Sequence, residues 1–134
     1  VLNVRYTTSA ENRTMATNLA GEVLDMMRSN PRHMVVYQRI TEGSFAGVTE
    51  PAGGCSAVGN DAATAVRNVA RWRCDVVSQL PEGTGSVVVV GTQATGYNVT
   101  VTVSWTDDVG KSGDAAENAA GIGKRTSFQV TTLL

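Results

Sequence analysis

Thr14-Met15-Ala16-Thr17-Asn18-Leu19-Ala20-Gly21-Glu22-Val23-Leu24-Asp25-Met26-Met27-Arg28-Ser29-Asn30 decides the fold of this chain. Wound at about 100° per residue, Met15, Leu19, Val23 and Met26 fall on one side, and Val1, Val4 and Thr8 extend that side upstream. Ala16 and Met27 widen it, while Glu11, Arg13, Asn18, Asp25 and Arg28 lie mostly elsewhere. The spacing predicts one helix over residues 1–30. From Met15 onward its apolar stripe is continuous, as a helix lying on a sheet requires. Before Met15 the stripe is interrupted by Arg5 and Asn12, so the opening of the helix has less reason to dock on its own domain and is available to a partner. Asn30-Pro31 ends the helix, because proline disfavours the α conformation of the residue before it.

Downstream of Pro31, residues 31–60 read as a loop, with a short strand near Met34–Tyr37. Pro51-Ala52-Gly53-Gly54 is a turn by its chemistry. Asn60 or Asp61 then reads as an N-cap for a second helix over 61–80, running from Ala62 to Leu80. Ala62, Val66, Val69, Arg73, Val76, Val77 and Leu80 share its apolar side, and Trp72 and Cys74 flank that side. Arg73 within an apolar stripe has two readings. Its stem covers core while the guanidinium reaches solvent, or it pairs with a buried carboxylate such as Asp25. Pro81 stops the helix, and Glu82-Gly83-Thr84-Gly85 turns the chain.

The region 86–134 reads as antiparallel sheet. Ser86–Gly91 contains four successive valines, Val87 to Val90, and the 92–96 turn offers Gly96 for positive φ. Tyr97, Val99, Val101, Val103 and Trp105 then alternate with Asn98, Thr100, Thr102, Ser104 and Thr106, a strand with one apolar and one polar face. Asp107–Lys124 reads as a long loop. Arg125–Leu134 alternates again, with Phe128 and Val130 as anchors. The expected architecture is a single α+β domain over 1–134. A long N-terminal helix packs on an antiparallel sheet of three or four strands, with a second helix before the sheet. Met15, Leu19, Val23 and Met27 are expected to cover Tyr97, Val99, Val101, Val103 and Phe128, at about 2 kcal/mol for each well-buried side chain.

Composition narrows the function classes. The 134 residues carry 11 basic and 12 acidic side chains, a net charge of −1. No basic excess favours a nucleic-acid groove or an anionic membrane surface. Aromatics are 5%, too sparse for base-stacking platforms. No apolar run reaches the ~18 residues of a membrane span and no signal peptide is visible. The chain begins with Val1, so an earlier segment or processing is expected. Its two cysteines, Cys55 and Cys74, read either as two buried thiols of a cytosolic protein or as one disulfide of an exported protein. The surrounding Gly/Ser/Thr/Asn composition favours the disulfide.

Catalytic and cofactor motifs fail on inspection. His33, the single histidine, sits just past a helix end with no motif around it and reads as a surface residue; a nucleophile would need a positioned base. Two cysteines and one histidine do not complete a zinc tetrahedron at usual spacing. Gly121-Ile122-Gly123-Lys124-Arg125-Thr126 resembles a phosphate loop but has Arg125 where Ser or Thr must follow the lysine, and a strand after it. Asp107, Asp108, Asp114 and Glu117 lack EF-hand spacing and read as a solvated acidic loop. Two sequons, Asn12-Arg13-Thr14 and Asn98-Val99-Thr100, read as chance. No catalytic residue, cofactor or metal ligand is assigned.

Three places carry a resemblance. Met27-Arg28-Ser29-Asn30-Pro31 resembles the ending of the long helix in the minor pilins of bacterial type IV pili, closest to the type IV pilus modification proteins. Trp72, then Leu80-Pro81-x-Gly83-x-Gly85, resembles their second helix and following turn. Tyr97-Asn98-Val99-Thr100-Val101, followed by Trp105-Thr106-Asp107, resembles their core strand. The resemblance implies a pilin-like fold and no catalysis. It implies an apolar half-helix and a prepilin-peptidase site upstream of Val1, with the protein anchored in the inner membrane before assembly into the pilus, and thus periplasmic, then extracellular. The partners implied are other minor pilins and the major pilin, with a tip adhesin as a further candidate, and no nucleic acid. Such subunits prime pilus assembly or form the fibre tip and serve adhesion and twitching motility. Val1, Leu2, Val4, Arg5 and Tyr6 would then face neighbouring subunits. Two other functions fit the same residues: a minor pseudopilin of a type II secretion system, and a small secreted domain binding a ligand or calcium through Asp107–Lys124.

Overall fold

The structure is a computed structural model, describing residues 2–58, 63–107 and 124–134, with side chains from Ala10 on in the first helix and from Arg125 on in the last strand. Helix α1 spans Leu2–Ser29, about 42 Å at 1.5 Å per residue. Its buried residues are Ala16, Leu19, Ala20, Val23, Leu24 and Met27. These follow the spacing i, i+3, i+4, i+7, i+8, i+11 of a wide apolar face. The sequence placed Met15 and Met26 in that face beside Leu19 and Val23, and these two methionines instead lie half-buried at its margins. The rotation has a cause: α1 is covered from two sides, by the sheet and by a later helix, so Ala20 and Leu24 also go inside. Threonines within α1 satisfy their hydroxyls on the preceding turn, Thr14 Oγ1 to the Ala10 carbonyl at 3.0 Å and Thr17 Oγ1 to the Arg13 carbonyl at 2.9 Å.

A 3-10 turn, Pro31–His33, leads into a short helix α2, Met34–Gln38. The strand read at Met34–Tyr37 is therefore wrong. Met34, Tyr37 and Ile40 are all buried while Val35 is exposed. Burial at every third residue outweighs the β preference of Val35-Val36, which is a statement about context rather than backbone. The segment read as irregular also contributes Phe45, buried at the end of a 3-10 turn over Glu42–Phe45 and capped by a Thr41–Ser44 box.

Helix α3 spans Thr64–Gln79 after Ala63. The N-cap reading at Asn60 or Asp61, and Ala62 with it, lies outside the described residues; the first described helical residue is Thr64, and Ala63 makes no side-chain cap bond. Its buried face is Ala65, Val69, Trp72 and Val76, with Leu80 buried just past its end, and Val66 is 47% exposed. Trp72 is thus the centre of the face rather than its flank. The indole N–H donates to the Leu19 carbonyl at 2.7 Å, joining α3 to α1, and Phe45 meets the ring edge-on with centroids 6.1 Å apart.

The sheet is a meander of three described strands in order β1-β2-β3: Thr84–Thr92, Gly96–Asp107 and Lys124–Leu133. β1 starts two residues earlier than read, so Thr84 and Gly85 belong to the ladder and not to the turn. Gly85 lies against Trp72; a Cβ there would stand 2.8 Å from the ring, closer than atoms pack. Val87 opposes Val101 and Val89 opposes Val99; Val130 opposes Val101 and Phe128 opposes Val103. Gly96 has φ +88°, as the turn required. Val99, Val101, Val103 and Trp105 are fully buried under α1, while Tyr97, Phe128 and Val130 are half-buried at the periphery of the same core.

Candidate functional surface

The candidate surface is the leading part of α1. Its described side chains stay exposed or half-exposed from Ala10 to Thr14, and full burial starts at Ala16. Arg13 lies with its guanidinium carbon 6.0 Å from the centre of the Trp105 ring, within cation–π reach. The candidate contact residues Val1, Leu2, Val4, Arg5 and Tyr6 have no described side chains, although positions 2–6 are helical. Of the expected packing residues, Leu19, Val23, Met27, Val99, Val101 and Val103 are fully buried, and Met15 and Phe128 pack against the core from its margin. No described helix is long and apolar enough to cross a membrane.

Cys55 and Cys74 stand at disulfide-bonding distance, with Cα atoms 5.5 Å apart, inside the range the bond allows. Cys74 leaves the side of α3 and meets Cys55 on a 3-10 turn, Cys55–Ala57, in a segment whose residues are otherwise largely exposed. Arg71 Nε also holds this segment, donating to the Val58 carbonyl at 3.0 Å. Closing this span constrains the unfolded chain by about 3 kcal/mol in the loop-entropy account. Mass spectrometry of the native protein without reductant is expected to find no free thiol, and Cys55→Ala with Cys74→Ala to lose about 2–4 kcal/mol in chemical denaturation. Labelling of both cysteines in the native protein would exclude the bridge.

Arg73 corrects both sequence readings. Its Nη1 donates to the Ser44 carbonyl at 3.1 Å, and its Nε is buried without a hydrogen-bond partner among the described residues. The guanidinium therefore fastens the 41–45 segment to α3. Asp25 instead makes an exposed pair with Arg28 at 3.1 Å, a contact worth little in water.

A groove of about 640 Å³ runs between α1 and α3, bounded by Glu22, Asn30, Ser56, Asn68 and Asp75. Partial burial raises the Glu22 carboxyl above its ordinary value, and the Asp75 charge raises it further. Burial, then the Glu50 charge, raises Asp75 likewise. Groups with raised carboxyl values hold protons more tightly folded than unfolded, so their destabilising contribution at neutral pH fades as pH falls through those raised values. The melting temperature is expected to rise between pH 7 and about 4.5, and the rise to shrink in Glu22→Gln/Asp75→Asn. An equal rise in the double variant would remove the effect from this pair.

His33 is exposed on its turn, and among the described residues no group of three or more His, Cys, Asp or Glu is placed to hold a metal ion. The acidic loop reading at Asp108, Asp114 and Glu117 lies outside the described residues, but Asp107, read with them as solvated, closes β2 and is buried; the glycine part of the phosphate-loop likeness also lies outside them, and Lys124–Thr126 open β3. Trp72, Tyr37, Ile40 and Phe45 were missed as core. A visible signal was the three-residue spacing of Met34, Tyr37 and Ile40. No protein-family model, curated protein or solved structure matches the chain.

Proposed function

We propose that this chain is the periplasmic domain of a minor pilin of a type IV pilus, a non-catalytic subunit that joins other minor pilins and the major pilin to prime or tip the fibre. The observation behind this reading is α1. It is 28 residues long, its described burial is confined to Ala16–Met27, and in this reading the residues before Ala10 meet neighbouring subunits. The three-stranded antiparallel sheet under that helix, the paired cysteines, and the likenesses at Met27–Pro31, Leu80–Gly85 and Tyr97–Asp107 agree with a pilin-like subunit. In this reading an apolar half-helix upstream of Val1 anchors the full-length protein in the inner membrane until assembly.

The test uses the full-length protein in its source bacterium. Deleting it is expected to cut the yield of sheared surface pili at least tenfold. A photo-crosslinking residue in place of Tyr6 is expected to give adducts with other pilin subunits. Normal piliation with no such adducts would overturn the reading. Intact pili with lost protein secretion would assign the chain to a type II pseudopilus instead.

A further inference from the structure

The two edges of the sheet are not alike. The Tyr97 N–H donates to the Leu134 carbonyl at 2.9 Å, and the Leu134 N–H returns a bond to Tyr97 at 2.7 Å. In an antiparallel ladder such doubly bonded pairs alternate with unbonded ones. The register pairs Val99 with Thr132, Val101 with Val130, Val103 with Phe128 and Trp105 with Thr126, so these also bond to β2. The N–H and C=O groups of Arg125, Ser127, Gln129, Thr131 and Leu133 therefore point away from the sheet. The same alternation turns the Val87 N–H outward on β1, and there it is taken: it donates to the Ile40 carbonyl at 3.0 Å. No described group takes the outward groups of β3.

Edge strands are ordinarily guarded by charge, proline, a bulge or shortness. β3 has none of these from Thr126 onward. Thr126–Leu134 contains no charged residue and no proline, and its ten pairs with β2 run without a bulge. The nearest charge, Arg125, is turned back across the outer face: its guanidinium donates to the Glu82 carbonyl and to Thr84 Oγ1, both at 2.7 Å. On the inner face Phe128 and Val130 are only half-buried, so the apolar layer continues to the last strand.

We propose that the outer edge of β3 is a strand-addition site that takes an extended, uncharged segment of a partner protein as a fourth strand. Only an extended peptide offers a matching ladder of N–H and C=O groups. The side-chain pattern it needs is the one β3 already accepts from β2: β-branched apolar residues on the inner face and hydroxyl residues on the outer. The edge's chemistry is the same whichever assembly the chain serves.

The probe is an end-blocked fluorescent peptide with the β2 sequence Asn98-Val99-Thr100-Val101-Thr102-Val103-Ser104, titrated against the 134-residue chain by anisotropy. Saturable binding is expected. Gln129→Pro removes one outward N–H while leaving the bonds to β2, as edge positions tolerate, and is expected to weaken binding at least tenfold with an unchanged circular dichroism spectrum. Should that variant fold poorly, Ser127→Pro removes the neighbouring outward N–H and is read the same way. No saturable binding by the wild type, or equal binding by a folded proline variant, would overturn the site. A concentration-dependent dimer in sedimentation that Gln129→Pro abolishes would overturn the assigned occupant in favour of a second copy.

Discussion

Leu19→Asp yields no folded domain. Leu19 is 1% exposed and sits at the centre of the α1 face, where its carbonyl also receives the Trp72 indole. Removing its side chain costs about 2–5 kcal/mol through lost burial and the cavity left. A carboxylate in its place adds the desolvation of an unpaired charge, several kcal/mol more. Together these approach the ~5–15 kcal/mol by which domains are stable at all. The expected result is loss of the cooperative thermal transition. Asn18→Asp, one residue away and exposed, is expected to stay within about 0.5 kcal/mol of the wild type. A melting temperature unchanged by Leu19→Asp would refute the packing of α1 on the sheet.

Trp72→Ala is expected to lose about 3–5 kcal/mol, the range for deleting a large buried aromatic. The cost has two parts that a second variant separates. Trp72→Phe keeps a ring against Phe45 and Gly85 but loses the bond to Leu19, a contribution of about 1 kcal/mol, together with part of the volume. Urea denaturation should therefore place Trp72→Phe clearly between the wild type and Trp72→Ala. Trp105, the only other tryptophan, is fully buried and reports both transitions by fluorescence. Equal stability of all three proteins would deny Trp72 its place between the helices and the sheet.

Sequence patterning was most legible where one period dominated. The alternation through Tyr97–Thr106 located β2 to within a residue at each end, and the helical stripe with Asn30-Pro31 located α1 equally well. Each element has one dominant buried face, so its periodicity reports burial directly. α3 was harder, because it touches α1, α2 and β1 together. Its buried face is set by Trp72 reaching across to Leu19, a pairing 53 residues apart that no local window contains. Residues 34–45 were harder still. Met34, Tyr37, Ile40 and Phe45 enter the core from the short helix α2 and the turns after it, whose identity depends on what they meet and not on their own propensity. Arg73 could not be read locally either, since its acceptor, Ser44, comes from that same segment. The interruption of the α1 stripe was visible in the sequence, whereas the outward groups of β3, untaken among the described residues, required the ladder itself.

The confinement of α1's described burial to Ala16–Met27 has a mechanical side. A pull at the leading end of this helix runs along its axis and tries to slide those twelve residues over β2 and α3 at once. Apolar contacts loaded in that direction give way together rather than one by one, so resistance grows with the length of the overlap. The bond between Cys55 and Cys74 joins α3 to the loop and leaves α1 uncrosslinked. Traction on the spine is therefore borne by dispersion and by the single indole hinge at Leu19, and rupture under tension should be governed by the unfolding barrier more than by equilibrium stability.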